Sequence, residues 1–151
     1  MNWLDEKQLK EWMNFSALLI VLPGELDSEM QRLAGMTQFE YTVMAGLSEA
    51  PGRTMRISTL AQLSRGSISR MSHLIKRLEK RGWIRREPDR CDGRYTNAIL
   101  TDDGYAKVVE TAPGQLDLVR RLVVDALTPA QLSRLGEISG RLLGGISSEW
   151  K

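Results

Sequence analysis

Two helical stripes joined by a tight turn at Arg65-Gly66, two short strand-like runs around a polar tip, and apolar-rich helices at both chain ends together predict a mainly α fold. Within it a helix-turn-helix is followed by a small β-hairpin wing, and the terminal helices flank both. At 151 residues, 42% of them hydrophobic, the chain has the size and apolar content of a single packed domain spanning residues 1–151.

From the N-terminus, Leu9, Trp12, Met13 and Ile20 fall on one helical stripe and Phe15, Leu18, Leu19 and Leu22 on a second, so both faces of this helix require burial. Pro23-Gly24 is expected to break or kink it, with a further helical piece from about Glu25 to Ala34. Thr37 and Glu40 have capping-box spacing and open a helix through Phe39, Val43, Met44 and Leu47 that stops before Pro51-Gly52. Met55-Arg56-Ile57 reads as a short strand, and Ser58 as the cap of a brief helix with Leu60, Ala61 and Leu63. After the turn, Ser67 is a good N-cap for a longer helix whose Met71, Leu74, Ile75 and Leu78 follow i, i+3, i+4, i+7, with Gly82 at its stop. Trp83 to Glu87 and Tyr95 to Leu100 read as the wing strands around Pro88 to Gly93. Thr101 caps the next helix, which is expected to bend at Pro113-Gly114 and carry on to Leu127. Thr128-Pro129 with Gln131 starts the last, which bears Leu132, Leu135, Leu142, Leu143 and Ile146.

The net charge of +2 conceals a strong asymmetry. Between Arg53 and Arg94 twelve Arg and Lys face four acids, a net of +8, and the remaining residues carry −6. A basic block in a near-neutral chain is the electrostatic mark of a polyanionic partner, since each phosphate neutralised releases counterions. On the Ser67 to Arg81 helix, the core stripe leaves Ser69, Arg70, His73 and Arg77 outside, where they can reach base edges or phosphates of a duplex. Arg90 and Arg94 flank the wing tip.

From Met36 to Gly104 the sequence resembles the MarR family of winged helix-turn-helix regulators. The residues that carry the resemblance are Thr37-Gln38-Phe39, Leu60-Ala61, Leu78-Glu79-Lys80-Arg81-Gly82-Trp83-Ile84, Asp92-Gly93-Arg94 and Leu100-Thr101-Asp102-Asp103-Gly104, in that order. The resemblance implies a non-enzymatic transcription regulator that binds double-stranded DNA as a homodimer, residues 1–35 and 102–151 supplying the dimerisation helices and 36–101 the DNA-binding region. It assigns Ser67, Ser69, Arg70, Ser72 and His73 to the recognition helix, Arg94 oriented by Asp92 to the minor groove, and Arg90 to a second wing contact. His73 stands where many members have Arg. A two-fold symmetric dimer implies an inverted-repeat operator. Many members also bind a small, often aromatic, effector between the dimer helices and the winged domain. Trp12, Met13, Phe15 and Met44 are apolar enough to line such a pocket, and equally suited to plain core.

Other classes find little support. The single Cys91 and single His73 leave no internal disulfide and no Cys/His metal site, and with no glycine-rich phosphate loop or paired-carboxylate motif, no catalytic residue, metal or cofactor is assigned. Cys91, in the wing tip, has no evident resolving partner for redox sensing, and the family's sensing cysteines lie near the N-terminal helix. A winged-helix protein-interaction module is the main alternative, but it has no need of a concentrated +8. No apolar run approaches the roughly 18 residues of a membrane helix, and the start lacks a signal peptide's basic flank, so a cytoplasmic protein is expected. Trp3, Trp12, Trp83 and Trp150 read as core or interface.

Overall fold

The computed structural model describes residues 3–64 and 66–146. Arg65 of the expected turn and Trp150 lie outside the described residues. The chain order is α1 (Glu6–Ala34), α2 (Gln38–Glu49), a 3-10 turn (Pro51–Arg53), β1 (Thr54–Arg56), α3 (Ile57–Leu63), α4 (Ile68–Lys80), β2 (Ile84–Pro88), β3 (Thr96–Leu100), α5 (Asp102–Val119), a π-helical turn (Arg120–Val124) and α6 (Pro129–Ile146). This is a mainly helical chain with a small wing.

Four of the five caps read from the sequence form as expected, Ser58 being the exception. The Thr37 hydroxyl accepts from the Glu40 backbone N–H at 3.0 Å while Glu40 Oε2 accepts from the Thr37 backbone N–H at 3.0 Å. Ser67 accepts from the Arg70 backbone N–H, Thr101 from that of Gly104, and Thr128 with Gln131 closes a second capping box. Gly82, at φ +77°, ends α4 in the left-handed region that favours glycine.

Neither Pro23 of α1, where a break or kink is expected, nor Pro113 of α5, where a bend is expected, interrupts its helix. A proline inside a helix orphans the carbonyl four residues earlier, here that of Leu19 and of Val109. Both residues are 54% exposed, so water can take up the lost bond. Beyond Pro23 the same helix is anchored by Met30 and Ala34 in the core. Gly114 serves a different purpose: a Cβ there would meet the Leu33 side chain at 2.7 Å, so its small size lets α5 approach α1 closely. The π-helical turn after Val119 was not foreshadowed by periodicity.

The strand before α3 is also shifted. It covers Thr54–Arg56, and the buried Ile57 already belongs to α3, whose N-cap is Arg56 rather than Ser58 and makes no side-chain cap bond. Strand β1 pairs antiparallel with β3 (Met55 opposite Ala98), and β3 with β2 (Arg86 opposite Ala98), so the wing is a three-stranded sheet of order β1-β3-β2.

One core cluster joins Met30, Met36, Met44 and Leu47 to Leu60, Met71, Leu74, Ile75 and Leu78 of the helix-turn-helix and to Ile84, Ala98 and Leu100 of the sheet. It fixes α4 against the base of the wing. The first half of α1 and all of α6 behave otherwise. Trp12, Met13, Leu18, Leu19, Ile20, Leu142 and Ile146 are exposed, and no described residue of α6 is buried.

Candidate nucleic-acid interface

Helix α4 buries Met71, Leu74, Ile75 and Leu78 and thereby turns Ser69, Arg70, His73, Lys76, Arg77 and Lys80 outward. Ser72 is half-buried at the edge of the stripe. Of the residues that sequence places here, Ser67 is committed first to structure, its hydroxyl oxygen holding the start of the helix.

The basic block is internally paired to a degree that composition does not reveal. Arg53 meets Asp102, Arg56 meets Asp89, Arg77 meets Glu40, Arg85 meets Glu87, Arg86 meets Glu79 and Arg94 meets Asp92. Arg81 donates to the Gly35 carbonyl and lies 3.9 Å from the centre of the Trp83 ring, tying the end of α4 to the α1–α2 junction. Among the described residues, Arg70, Lys76, Lys80 and Arg90 form no ion pair and are all exposed. These four, with His73, are the groups most open to an anionic partner.

Arg77 is held differently from the others on its helix. Its Nε lies 3.2 Å from Oε1 of the buried Glu40, whose other oxygen completes the capping box of α2. Glu40 would otherwise be a buried carboxylate with half its bonds. The geometry gives Arg77 an anchoring task between α2 and α4, while its side chain stays 59% exposed.

The wing tip is a chain of carboxylate contacts. Arg56 Nε donates to Asp89 Oδ2 at 2.9 Å, and its guanidinium sits 4.3 Å from the Tyr95 ring centre. Asp89 Oδ1 accepts the backbone N–H groups of Cys91 and Asp92. Asp92 in turn grips Arg94 with two oxygens, Nε to Oδ1 at 3.0 Å and Nη2 to Oδ2 at 2.7 Å, and accepts the Arg94 backbone N–H. The Arg56 guanidinium and the Cys91 N–H bring the Asp89 pKa down from 3.8 to about 2. Arg94 likewise holds the Asp92 carboxyl below its ordinary value. Both acids are therefore ionised at neutral pH, and Arg94 is fixed in direction while its side chain stays 85% exposed. Arg90 and Cys91 lie at the same tip, Cys91 as an exposed free thiol.

Arg56 escaped the sequence reading because it lies 33 residues from Asp89, and no local spacing links them. Ile68 escaped it too, although it precedes Met71 by three and Ile75 by seven and so fits the core stripe. The structure leaves it exposed at the start of α4. Of the aromatic and methionine residues considered for an effector, Met44 is fully buried in the core, apart from Trp12, Met13 and Phe15 on the exposed half of α1. Trp83 packs against the core, and Trp12 meets Phe15 edge-on at 6.3 Å. Among the described residues, no group of three His, Cys, Asp or Glu is placed to hold a metal ion, and no helix is long and apolar enough to cross a membrane.

Residues 36–96, the segment that builds α2, the helix-turn-helix and most of the wing, match the model of the MarR family. A MarR family transcriptional regulator from Streptomyces coelicolor, solved in complex with DNA, is 41% identical, with 96% of this chain and 91% of that one covered and a TM-score of 0.92. The chain belongs to the MarR family. A second MarR family transcriptional regulator of the same organism, AbsC, is 32% identical over 95% of this chain and 99% of its own, with a TM-score of 0.87. The transcriptional repressor MprA of Escherichia coli K12 is 25% identical over 116 residues. That match covers 77% of this chain and spans 65% of the length of that curated relative. These MarR relatives are transcriptional regulators rather than enzymes.

Proposed function

We propose that the chain is a sequence-specific, double-stranded-DNA-binding transcription regulator that works as a homodimer. The observation that carries this reading is the outward face of α4, where Arg70, His73, Lys76 and Lys80 stand free of ion pairs beside a wing whose Arg94 is held extended by Asp92. In this reading α4 enters the major groove, with Ser69 and Arg70 at base edges and His73 nearby, and Arg90 and Arg94 reach the adjacent minor groove or its phosphates. Ser67 and Ser72 contribute through the start and flank of the helix. Arg77 is retained as an anchor through Glu40. The DNA in the structure of the 41%-identical relative supports the same choice of partner.

The homodimer rests on surface that the protomer leaves uncovered. Trp12, Leu18, Leu19 and Ile20 of α1 and Ile138, Leu142 and Ile146 of α6 form apolar surface that a second copy would bury, as obligate interfaces do. Residues 1–35 and 102–151 thus form the dimerisation part and 36–101 the DNA-binding part. Modulation by a small effector is part of this reading; a cavity of about 220 Å³ lies between α1 and α5, within the dimerisation part, at Glu29, Leu33, Gly114 and Arg121. A regulator of this kind works in the compartment that holds the chromosome, in keeping with the cytoplasm expected from the sequence.

The test is selection of bound duplexes from a random pool at a fixed salt concentration. A dimer yields an inverted repeat with half-site centres about one helical turn, roughly 10 bp, apart. Recovery of sites without two-fold symmetry, or of no enriched sequence, argues against a dimeric sequence-specific regulator.

A further inference from the structure

Helix α4 carries one apolar side chain that the core does not use. Ile68 is its first residue and is 59% exposed, whereas Met71, Leu74, Ile75 and Leu78 of the same helix are buried. Its neighbours Gly66, Ser67 and Ser69 are small and exposed, so a surface approaching the start of α4 meets the Ile68 side chain ahead of them. Arg70, two residues on, supplies an unpaired cation at the same tip. The β-branched side chain has few rotamers to lose, so holding it against a partner costs little entropy. Helix propensity gives no reason for an isoleucine at this exposed site, since β-branched residues are weaker helix formers than Ala or Leu.

In the major groove, the apolar group that marks one base apart from the others is the C5-methyl of thymine. We infer that Ile68 reads thymine by packing on that methyl in each half-site, so that it fixes one A·T pair of the half-site. The inference rests on the proposed DNA-binding role and adds the base class that the recognition helix selects. Burying one methyl is worth about 0.8 kcal/mol, or roughly fourfold in affinity per half-site and about fifteenfold for a symmetric pair of half-sites.

The experiment replaces each thymine of a selected operator, one symmetric pair at a time, with deoxyuridine, which removes the methyl and leaves base pairing intact. Wild type, Ile68→Ala and Leu63→Ala are compared by fluorescence anisotropy, Leu63 being the other exposed apolar residue beside the turn. The expected result is one thymine pair whose replacement weakens wild type and Leu63→Ala by about fifteenfold and leaves Ile68→Ala unaffected. If no replacement costs wild type more than about twofold, or if Ile68→Ala pays the same penalty, Ile68 is not the reader, while operator binding itself stands. If selection yields no preferred sequence, the DNA-binding proposal fails first and this inference with it.

Discussion

Removing the Arg94 side chain tests the wing most sharply. In the free protein the guanidinium is held by both oxygens of Asp92 and stays 85% exposed, so it is pre-aimed at a partner at little ordering cost. The proposed dimer presents it twice. Arg94→Ala therefore removes two phosphate-level contacts, and with about 0.9 counterion released per contact the slope of log K against log salt falls in magnitude by roughly 1.8. Asp92 is left as a bare carboxylate facing the duplex, so affinity falls further than the slope alone requires. Arg56→Gln is the matched control. That guanidinium is spent on Asp89 and Tyr95, so its loss loosens the tip and weakens binding with little change in slope. The assay is fluorescence anisotropy on operator and random duplexes between about 50 and 200 mM salt, with sedimentation checking that each variant remains a dimer. An unchanged slope in dimeric Arg94→Ala, or equal slope losses in the two variants, would falsify the division between a contacting and a positioning arginine.

Three further outcomes follow from particular contacts. A Cβ on Gly104 would lie 2.1 Å from the Trp83 carbonyl oxygen, an obstacle of backbone rather than side chain, so Gly104→Ala is expected to cost about 3 kcal/mol. At fixed protein concentration that lowers Tm by roughly 6–12 °C, whereas Gly114→Ala, which meets only the movable Leu33 side chain, stays near neutral; a Gly104→Ala loss below about 1 kcal/mol would contradict the packing at that junction. The Asp89 pKa is depressed, so its bonds hold above the ordinary carboxyl value of 3.8 and are lost as pH falls through about 2. The Cys91 and Asp92 amide resonances should accordingly stay put from neutral pH down to 3.8 and shift only below it, and a midpoint at the ordinary value would show that Arg56 does not hold Asp89. Leu142→Asp puts a charge on the uncovered face of α6 and should weaken dimerisation at least about a hundredfold, and DNA binding with it; a variant that sediments as wild type does would place the dimer contact elsewhere.

How much the sequence disclosed depends on whether a feature is local. The equally local reading of Ser58 as a cap fails because α3 already begins at Ile57, whereas caps at Thr37, Ser67, Thr101 and Thr128 are each set within three residues and all four form. The core stripe of α4 is a property of one helix and was legible for the same reason. At Pro23 the sequence leaves a break and a kink both open, and the helix continues there because the effect of a proline depends on what surrounds the orphaned carbonyl, which no local pattern records. The candidate site divides in the same way. Arg94 and Asp92 are two residues apart and were found together, but the pairing of Arg77 with Glu40 spans 37 residues and that of Arg56 with Asp89 spans 33. Charge counting treated all twelve basic residues alike, whereas tertiary pairing separates anchors such as Arg77 from available cations such as Arg70 and Arg90.

The measurement that bears most directly on the account is the stoichiometry of the operator complex, read by sedimentation of the full chain with a selected duplex in excess random DNA. Two chains on each duplex, in a complex that survives the competitor at moderate salt and dissociates steeply as salt rises, is the predicted result. A single chain on the duplex, or a complex that random DNA displaces as readily as operator does, would contradict a dimer presenting two copies of α4 and the wing to one inverted repeat.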